Sequence, residues 1–262
     1  MSGDSGHPLQ TQHESADRSL FDRIAGQYCR KDLSPACRIA RRHRLMRTVA
    51  GVGLTSVSSI LEAGCGAGFS ARYLRGLYEH FAGIDYSQQL IDCARHYNGG
   101  DNVVFEAANI RTFQTERRFD VILMVGVLHH LDDMPGAMAR LVGLLRPGGW
   151  LVANEPSAAN PLIRLARAVR KRLDRAYSDE QLQLSAGQLR ELFTSAGLTD
   201  VRICPQGLLS TPFAEVILRP QVLMAPLSAA ACAIDTALET VLGRLLRPLC
   251  WNLIAAGRKP AT

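Results

Sequence analysis

The stretch ILEAGCGAGFSARYL, residues 60–74, holds three closely spaced glycines, Gly64, Gly66 and Gly68. Glycine is required where the backbone takes a positive φ angle or where a ligand must approach the chain closely. The fingerprint of dinucleotide-binding loops would place another glycine at the next position, but this chain has Phe69 there. The spacing therefore predicts a loop that closes under a ligand without forming a pyrophosphate cradle.

A carboxylate, Asp85, ends the next predicted strand about twenty residues after Gly64. At this position a carboxylate can accept hydrogen bonds from both hydroxyl groups of a ribose. In an open α/β sheet the ligand crevice lies outside the carboxyl ends of the strands, where both the loop and Asp85 are expected. The two features together predict a nucleoside site, and the simpler role of helix N-cap stays open for Asp85.

Two histidines, His129 and His130, directly follow the fourth predicted strand and are expected at the same crevice. A histidine there can remove a proton from a hydroxyl group near neutral pH. We take both as catalytic candidates, with His130 as the stronger one. The alternative, that both begin a helix and only pack or form local hydrogen bonds, stays open.

Two other patterns near the crevice predict no chemistry of their own. Cys65 lies in the glycine loop, but no base is paired with it, so we expect a packed small side chain rather than a nucleophile. The side chains of HHLDD, residues 129–133, are of metal-binding types, yet residues so close in sequence need further ligands to surround an ion. We therefore predict no metal site.

The elements that must position these residues alternate between strand and helix. Segments such as SARYLRGLY and MPGAMARLVGLL carry apolar residues at the i, i+3, i+4 and i+7 spacing of a helix. Short apolar strand candidates lie between such segments, at residues 58–63, 80–85, 102–107, 119–126 and 148–155. This alternation predicts an α/β fold with a doubly wound, mostly parallel sheet.

Beyond Glu155 the alternation stops at a first predicted insertion, residues 156–184. It contains a basic helix over 162–175 that begins after Asn160 and Pro161, an N-cap followed by a proline at the first helical position. Three roles stay open for this helix: a solvated charged face, a cap over the active site, or an interface with anionic lipid.

The C-terminal part is predicted to add a helix and then a final antiparallel pair of strands, DVRICPQ at 200–206 and CWNLIAAGRK at 250–259. Between these strands, residues 208–247 form a second, apolar helical insertion. We expect it to cover the acceptor side of the crevice, and the alternatives of a dimer surface and of ordinary core stay open. Its apolar residues share one helical face: Leu227, Ala231, Ile234, Leu238, Val241 and Leu245.

The composition is that of one globular domain. The chain has 262 residues, 47% of them hydrophobic, and a net charge of +6 that admits nucleic acid or an anionic membrane as a partner. Residues 1–18 predict a disordered polar tail without the apolar stretch of a signal peptide, and residues 19–262 predict the domain. The longest uncharged stretch, 220–234, is expected to be too short to span a bilayer.

Cysteine usage and charge pattern bear on location and surface. Seven scattered cysteines without a C-x-x-C pair are typical of reduced thiols, so we expect a cytoplasmic protein that is soluble or peripheral at the inner membrane surface. The segment RIARRHRLMR, residues 38–47, mixes apolar and basic residues and predicts a surface helix ahead of the first strand.

Four ordered segments resemble the class I S-adenosylmethionine-dependent methyltransferases of the small-molecule type: LEAGCGAGF, GIDYSQQLI, FDVILMVGVLHHLDD and LLRPGGWLVANEP. The terminal WNLIAAGRKP is similar to the last strand of that family. The resemblance covers about residues 20–205 plus the terminal strand. It implies the Rossmann-like fold of these methyltransferases and S-adenosylmethionine as the cofactor.

The resemblance also implies a role for each matching residue. It puts Asp85 at the ribose and Tyr86, Asn109 and Ile110 around the adenine. The family often has Asp at the position of Asn109, whose side-chain oxygen can still accept from the adenine amino group. Tyr28 resembles an N-terminal aromatic residue that closes over the cofactor. The residues matched to the methionine part of the cofactor are Glu62, Gly64, Cys65, Gly66, Gly68, Val125 and Gly126.

The function expected from the sequence is methylation of a hydrophobic small-molecule or lipid-like acceptor, most simply on oxygen and by in-line transfer. Such a transfer needs the acceptor aligned with the methyl group and water excluded. Two alternatives stay open, an RNA methyltransferase and a non-catalytic cofactor-binding regulatory or scaffold protein. Nucleic acid is the less favoured partner, because MVGVLHH stands where base-methylating members generally carry Asn/Asp-Pro-Pro-aromatic and no RNA-binding motif is present.

Overall fold

The computed structural model describes residues 12–54, 56–161 and 184–261. The basic helix predicted over 162–175 lies outside these described residues. Short 3-10 turns occur at Leu128–His130 and Gly243–Leu246. The helices and strands, numbered in chain order, are α1 (Gln12–Leu33), α2 (Pro35–Ala50), β1 (Val57–Ala63), α3 (Phe69–Tyr73), β2 (Tyr78–Asp85), α4 (Gln88–Asn98), β3 (Val103–Ala107), β4 (Phe119–Val125), α5 (Met134–Leu144), β5 (Leu145–Pro156), α6 (Ala186–Ser195), β6 (Thr199–Gln206), α7 (Thr211–Glu215), α8 (Gln221–Leu242) and β7 (Asn252–Arg258).

The strands form one mixed sheet in the order β3-β2-β1-β4-β5-β7-β6. Strands β1 to β5 pair in parallel, and the chain order reverses direction across the sheet between β1 and β4. Strand β7 is antiparallel to both β5 and β6, with Ala153 opposite Ala255 and Ile203 also opposite Ala255. The predicted fold class, including the final antiparallel strand, is confirmed.

Both faces of the sheet are covered by helices, as a parallel sheet requires. On one face Leu61, Ile122 and Leu151 pack in a cluster that includes Met138 of α5 and Phe193 of α6. The neighbouring residues along the strands point to the other face because side chains alternate along a strand. There Ile60, Val121, Leu123 and Val152 pack with residues of α2, α3 and α4, such as Leu45, Ala71 and Ile91.

Helix α1 corrects the predicted disordered tail, because it begins at Gln12, inside the range 1–18. Residues 1–11 lie outside the described residues. Ala25 and Cys29 of α1 are buried against Phe69 and Leu90. The helix was missed because its stabilising contacts come from α4 and the glycine loop, and its own sequence is mostly polar.

Helix α2 corrects the predicted surface helix over 38–47. It is longer, and residues such as Ala40, Leu45 and Val49 are buried between the sheet and α8. The basic residues of this segment therefore do not all face solvent. Arg41 and Arg44 point to a cavity instead.

The insertion over 208–247 consists of α7, the long helix α8 and the second 3-10 turn. Of the apolar face predicted for α8, Ala231 is buried, whereas Leu227, Ile234 and Val241 are exposed. Among the described residues, one stretch, Gln221–Leu246, is long and apolar enough to cross a membrane by these two criteria, and 22% of its most apolar window is buried. The prediction concerned the uncharged stretch 220–234 and stays a prediction; the helix itself continues beyond Ile234 and includes the charged residues Asp235 and Glu239.

Candidate functional site

A cavity of about 730 Å³ opens at the carboxyl ends of β1, β2, β4 and β5. It lies at the switch point between β1 and β4, where ligands bind in open α/β sheets. Helices α1 and α2 and the short helix α7 close it from the side opposite the sheet, with Phe21, Arg41 and Glu215 among the lining residues. The cavity is large enough for a drug-sized ligand.

The glycine loop after β1 needs glycine for two different reasons. Gly64 and Gly66 have φ angles of +76° and +52°, which strain other residues. A Cβ on Gly66 would lie 3.2 Å from the ring of Tyr28, so the α1 aromatic packs directly on the loop. Gly68 does not line the cavity; a Cβ there would lie 2.5 Å from the ring of Phe105. Its glycine is therefore required by packing and by its φ of +71°.

Asp85 is buried beneath this loop and fixes its shape. Its carboxylate accepts from the backbone N–H of Gly66 at 2.8 Å and from the N–H of Ser87 at 2.9 Å. Burial raises the pKa of Asp85 to about 6, against the lowering effect of these hydrogen bonds. The N-cap of α4 is Ser87, which accepts from Leu90 N–H at 3.2 Å, so Asp85 does not cap this helix.

Glu62 brings a second buried carboxyl group to the same loop. One of its oxygens accepts from the hydroxyl of Ser70 at 2.6 Å, while Oε2 is buried without a hydrogen-bond partner. Burial, and then the charge of Asp85, raises the pKa of Glu62 to about 8. The ionised form leaves a buried acceptor without a partner, which is costly, and a cationic or donor group of a ligand placed here would favour that form.

These features fit S-adenosylmethionine as the group implied by the sequence resemblance. Glu62, with its orphaned Oε2, and the glycine loop border the same cavity, and the absence of a Cβ on Gly66 lets the Tyr28 ring pack against the loop. An ammonium group supplies the donor that Oε2 lacks, and Asp85 adds a carboxylate close by.

The remaining residues predicted to bind the cofactor all line the cavity, and one of them also stabilises a turn. Tyr86, Ile110, Val125 and Gly126 line the cavity. Asn109 also lines it, although its side-chain oxygen accepts from Arg111 N–H at 2.8 Å and so shapes the turn after β3. The roles of all these residues at a bound cofactor stay predictions.

Cys65 is buried behind the loop, with burial and then the charge of Asp85 holding the pKa of its thiol well above the usual value. A thiol with a raised pKa is a poor nucleophile. This supports the prediction of a packed small side chain.

The two histidines are each held by a carboxylate that the sequence analysis did not single out. Glu155, fully buried at the end of β5, accepts from the N–H groups of Val127 and Leu128 at 2.9 Å, and its other oxygen lies 2.7 Å from His129 Nδ1. A carboxylate accepts hydrogen bonds, so a neutral imidazole facing it donates from Nδ1 and keeps Nε2 to accept a proton.

His130 is held in a different way. Its Nδ1 lies 2.9 Å from Asp17 Oδ2, and its ring stands edge-on to Phe21 with centroids 5.5 Å apart. Both partners belong to α1, so these contacts hold this helix against the turn after β4, beside the cavity. The two imidazole rings lie 4.1 Å apart, and among the described residues no group of three metal-binding side chains comes together.

A charged wall completes the cavity and was missed by sequence reasoning. Arg41 donates to Asp32 at 2.9 Å, and its guanidinium lies 4.9 Å from the centre of the Tyr28 ring. Glu215 of α7 accepts from Arg44 at 2.8 Å and from Lys31 at 3.4 Å. The two pairs of Glu215 join residues 171 and 184 positions apart in sequence, so the only available signal was the unusual density of arginines in α2.

Comparison with known proteins covers the central part of this site. Residues 61–153 match the family model described as a methyltransferase domain. The chain is 28% identical over 147 residues to a ubiquinone biosynthesis O-methyltransferase from Thiobacillus denitrificans, covering 53% of this chain and 63% of that protein. It is 28% identical over 148 residues to a demethylmenaquinone methyltransferase from Tropheryma whipplei, covering 56% and 62%. The match thus spans about three fifths of the length of these relatives.

The fold is also shared with solved structures. A SAM-dependent methyltransferase from Thermotoga maritima superposes with a TM-score of 0.64 at 19% identity, covering 92% of this chain and 98% of that one. At this identity the likeness concerns the fold. Together, the domain match and the relatives confirm the predicted family and its cofactor, S-adenosylmethionine, at the level of the domain. Residues 61–153 of the chain thus carry a methyltransferase domain of the class I S-adenosylmethionine-dependent type.

Proposed function

We propose that the whole protein transfers a methyl group from S-adenosylmethionine to a hydroxyl group of a hydrophobic small-molecule or lipid-like acceptor. The observation that carries the choice of oxygen is the buried Glu155–His129 pair at the cavity, because removal of a proton is needed when the acceptor is a hydroxyl. The names of the quinone-biosynthesis relatives support a hydrophobic acceptor.

The chain's residues have distinct tasks in binding the methyl donor. When bound, S-adenosylmethionine would supply an activated methyl group on a sulfonium, suited to in-line transfer. In this proposal Asp85 holds the ribose hydroxyls and Glu62 the ammonium group, since both residues line the cavity. Tyr28 packs over the glycine loop and excludes water from that end of the cavity.

Proton removal is the task of His129 in this proposal. Glu155 acts as a positioning residue, because it fixes the ring through Nδ1 and is itself fixed by two backbone N–H groups. His130, held by Asp17, is the second candidate and was favoured from sequence alone. A base held in this way contributes about 10²–10⁴-fold to the rate.

The acceptor region is the part of the cavity that lies toward α7 and β7. Its lining includes Leu131, Pro156, Val216 and Trp251, which offer apolar surface beside the histidines. An apolar lining with a few polar groups is typical of sites for small hydrophobic molecules. An RNA acceptor would instead need a basic surface open to a polyanion.

The test is transfer of a labelled methyl group from S-adenosylmethionine into lipid and phenolic extracts by the purified protein. We expect label in an apolar product, a loss of about 10²-fold or more in kcat for His129→Asn, and no change for His96→Asn, an exposed histidine on α4. If only His130→Asn reduced kcat, the base would be His130 rather than His129. Label recovered only in RNA, or in no product, would contradict the proposal.

Glu155→Gln separates a positioning role from a structural one. The glutamine oxygen can still accept from Val127 and Leu128, but its amide donor then faces His129 Nδ1 and favours the wrong tautomer. We expect kcat to fall and its pH profile to change, while cofactor affinity and thermal stability change little.

A cytoplasmic location with peripheral membrane contact also stays part of the proposal.

A further inference from the structure

Helix α8 exposes large apolar side chains to solvent and buries two carboxylates, unlike an ordinary helix of a globular domain. Its outward face carries Val222, Leu223, Leu227, Ile234 and Val241, which are between 46% and 80% exposed. Residues 223, 227, 230, 234, 237 and 241 follow one another at spacings of three or four and so share one face. Large contiguous apolar surfaces on soluble proteins mark interaction sites.

The inward face of α8 carries two buried carboxylates that are hydrogen-bonded to the rest of the domain. Asp235 accepts from the backbone N–H groups of residues 208, 209 and 210, each at 2.9 Å, and from the hydroxyl of Ser210 at 2.7 Å. Glu239 accepts from Gly207 N–H at 2.7 Å and from Arg47 at 2.9 Å. The outward direction of the apolar face is therefore fixed by hydrogen bonds that a rotation of α8 would break.

These hydrogen bonds also indicate whether α8 lies on a membrane or crosses it. A helix that crossed the bilayer would have to leave the domain and carry Asp235 and Glu239 into hydrocarbon, at a high free-energy cost. In its folded position, α8 presents only its apolar face, as interfacial helices do.

The charges around this face select an anionic lipid surface over a second copy of the chain. Within residues 216–251, the only acidic side chains, Asp235 and Glu239, point inward, whereas Arg219 and Arg244 are exposed at the two ends of α8. Two copies meeting through this face would bring arginines together without an acidic partner. The residues beside the stripe, such as Val222 and Ala233, are also apolar, unlike the charged positions that flank a two-helix seam.

We propose that the outward face of α8 docks in the interface of a membrane containing anionic phospholipid. Residues on either side of α8 line the cavity: Thr211, Glu215 and Val216 before it, Trp251 and Asn252 after it. Docking therefore brings the acceptor side of the cavity to the lipid surface, from which an apolar acceptor can enter. This last consequence rests on the proposed function, whereas the docking itself does not.

The experiment measures binding to sonicated vesicles by flotation, without methyl donor or acceptor. We compare vesicles of phosphatidylcholine alone with vesicles containing one third phosphatidylglycerol. The test variant is Leu227→Gln/Val241→Gln, and the control is Leu33→Gln/Val104→Gln, which changes two exposed apolar residues elsewhere. A third variant, Arg244→Gln, tests the contribution of charge.

We expect binding to the anionic vesicles that weakens with salt, falls at least about tenfold in Leu227→Gln/Val241→Gln, falls less in Arg244→Gln and is unchanged in the control. Absence of vesicle binding by the wild type, or equal binding by Leu227→Gln/Val241→Gln, would overturn the proposal. So would a stable dimer in light scattering that this variant disrupts. Calorimetric titration of the same samples with S-adenosylmethionine keeps a failure of docking distinct from a failure of the proposed function.

Discussion

The two sides of the cavity are built in opposite ways. The side predicted to hold the cofactor comes from the short segment 62–68 and from Asp85, each directly at the end of a strand. The opposite wall comes from α1, α2 and α7, whose contacts join residues far apart in the chain, such as Arg44 and Glu215. The first side is specified by backbone geometry, and the second by ion pairs and packing between separate helices.

The same difference explains what sequence reasoning could predict. The strands and the glycine loop were predicted because apolar runs and positive φ angles leave local traces in the sequence. Helix α1 was missed and α2 was placed at the surface, because their burial depends on partners elsewhere. The orientation of α8 could not be predicted from the sequence either. Its periodicity indicated an apolar face, but the contacts of Asp235 decide which face turns inward.

The largest change in stability is expected from Asp235→Ala. This residue of α8 holds the segment that leads into α7, so it tests the wall that depends on contacts between distant residues. The substitution leaves the N–H groups of residues 208–210 without their acceptor. Breaking such a buried network costs about 3 kcal/mol in the free energy of unfolding. Urea denaturation measures it, with Asp101→Ala at an exposed site as the control. A loss below about 1 kcal/mol would show that α8 is not anchored as described.

Gly66→Ala tests the side built by backbone geometry. The new Cβ would meet Tyr28 in a loop whose φ is +52°, at a cost of about 1–2 kcal/mol. We expect affinity for S-adenosylmethionine to fall about tenfold in calorimetry. Gly143→Ala, in α5 where a Cβ meets nothing within 4 Å, should leave affinity unchanged. Equal affinities of the two variants would contradict the assigned role of the loop.

The pH dependence of cofactor binding tests Asp85 itself. Burial raises the pKa of this carboxyl group to about 6, so it becomes protonated as the pH falls below that value. Protonation removes the charge and an acceptor oxygen, and affinity should therefore fall about tenfold between pH 8 and pH 5. Asp85→Asn should bind more weakly at pH 8 and lose this step. A step that persists in Asp85→Asn would belong to another group, such as Glu62, whose pKa burial raises to about 8.

The smallest effect is expected from Arg44→Gln, which removes one ion pair from the remote wall. Glu215 is 46% exposed and keeps Lys31 as a second partner. Partly exposed pairs contribute less than about 1 kcal/mol, so the midpoint of urea unfolding should shift little. Leu33→Gln provides a neutral reference. A loss as large as that of Asp235→Ala would mean that the charged wall, rather than α8, holds the acceptor side together.

The most direct test is calorimetric titration with S-adenosylmethionine and with its demethylated product, for wild type, Asp85→Ala and the exposed control Asp101→Ala. We predict micromolar binding of both ligands by the wild type and the control. Asp85→Ala should bind at least about tenfold more weakly, the equivalent of ~1.4 kcal/mol. Absence of binding by the folded wild type, or unchanged affinity in Asp85→Ala, would contradict the assignment of this cavity to the methyl donor.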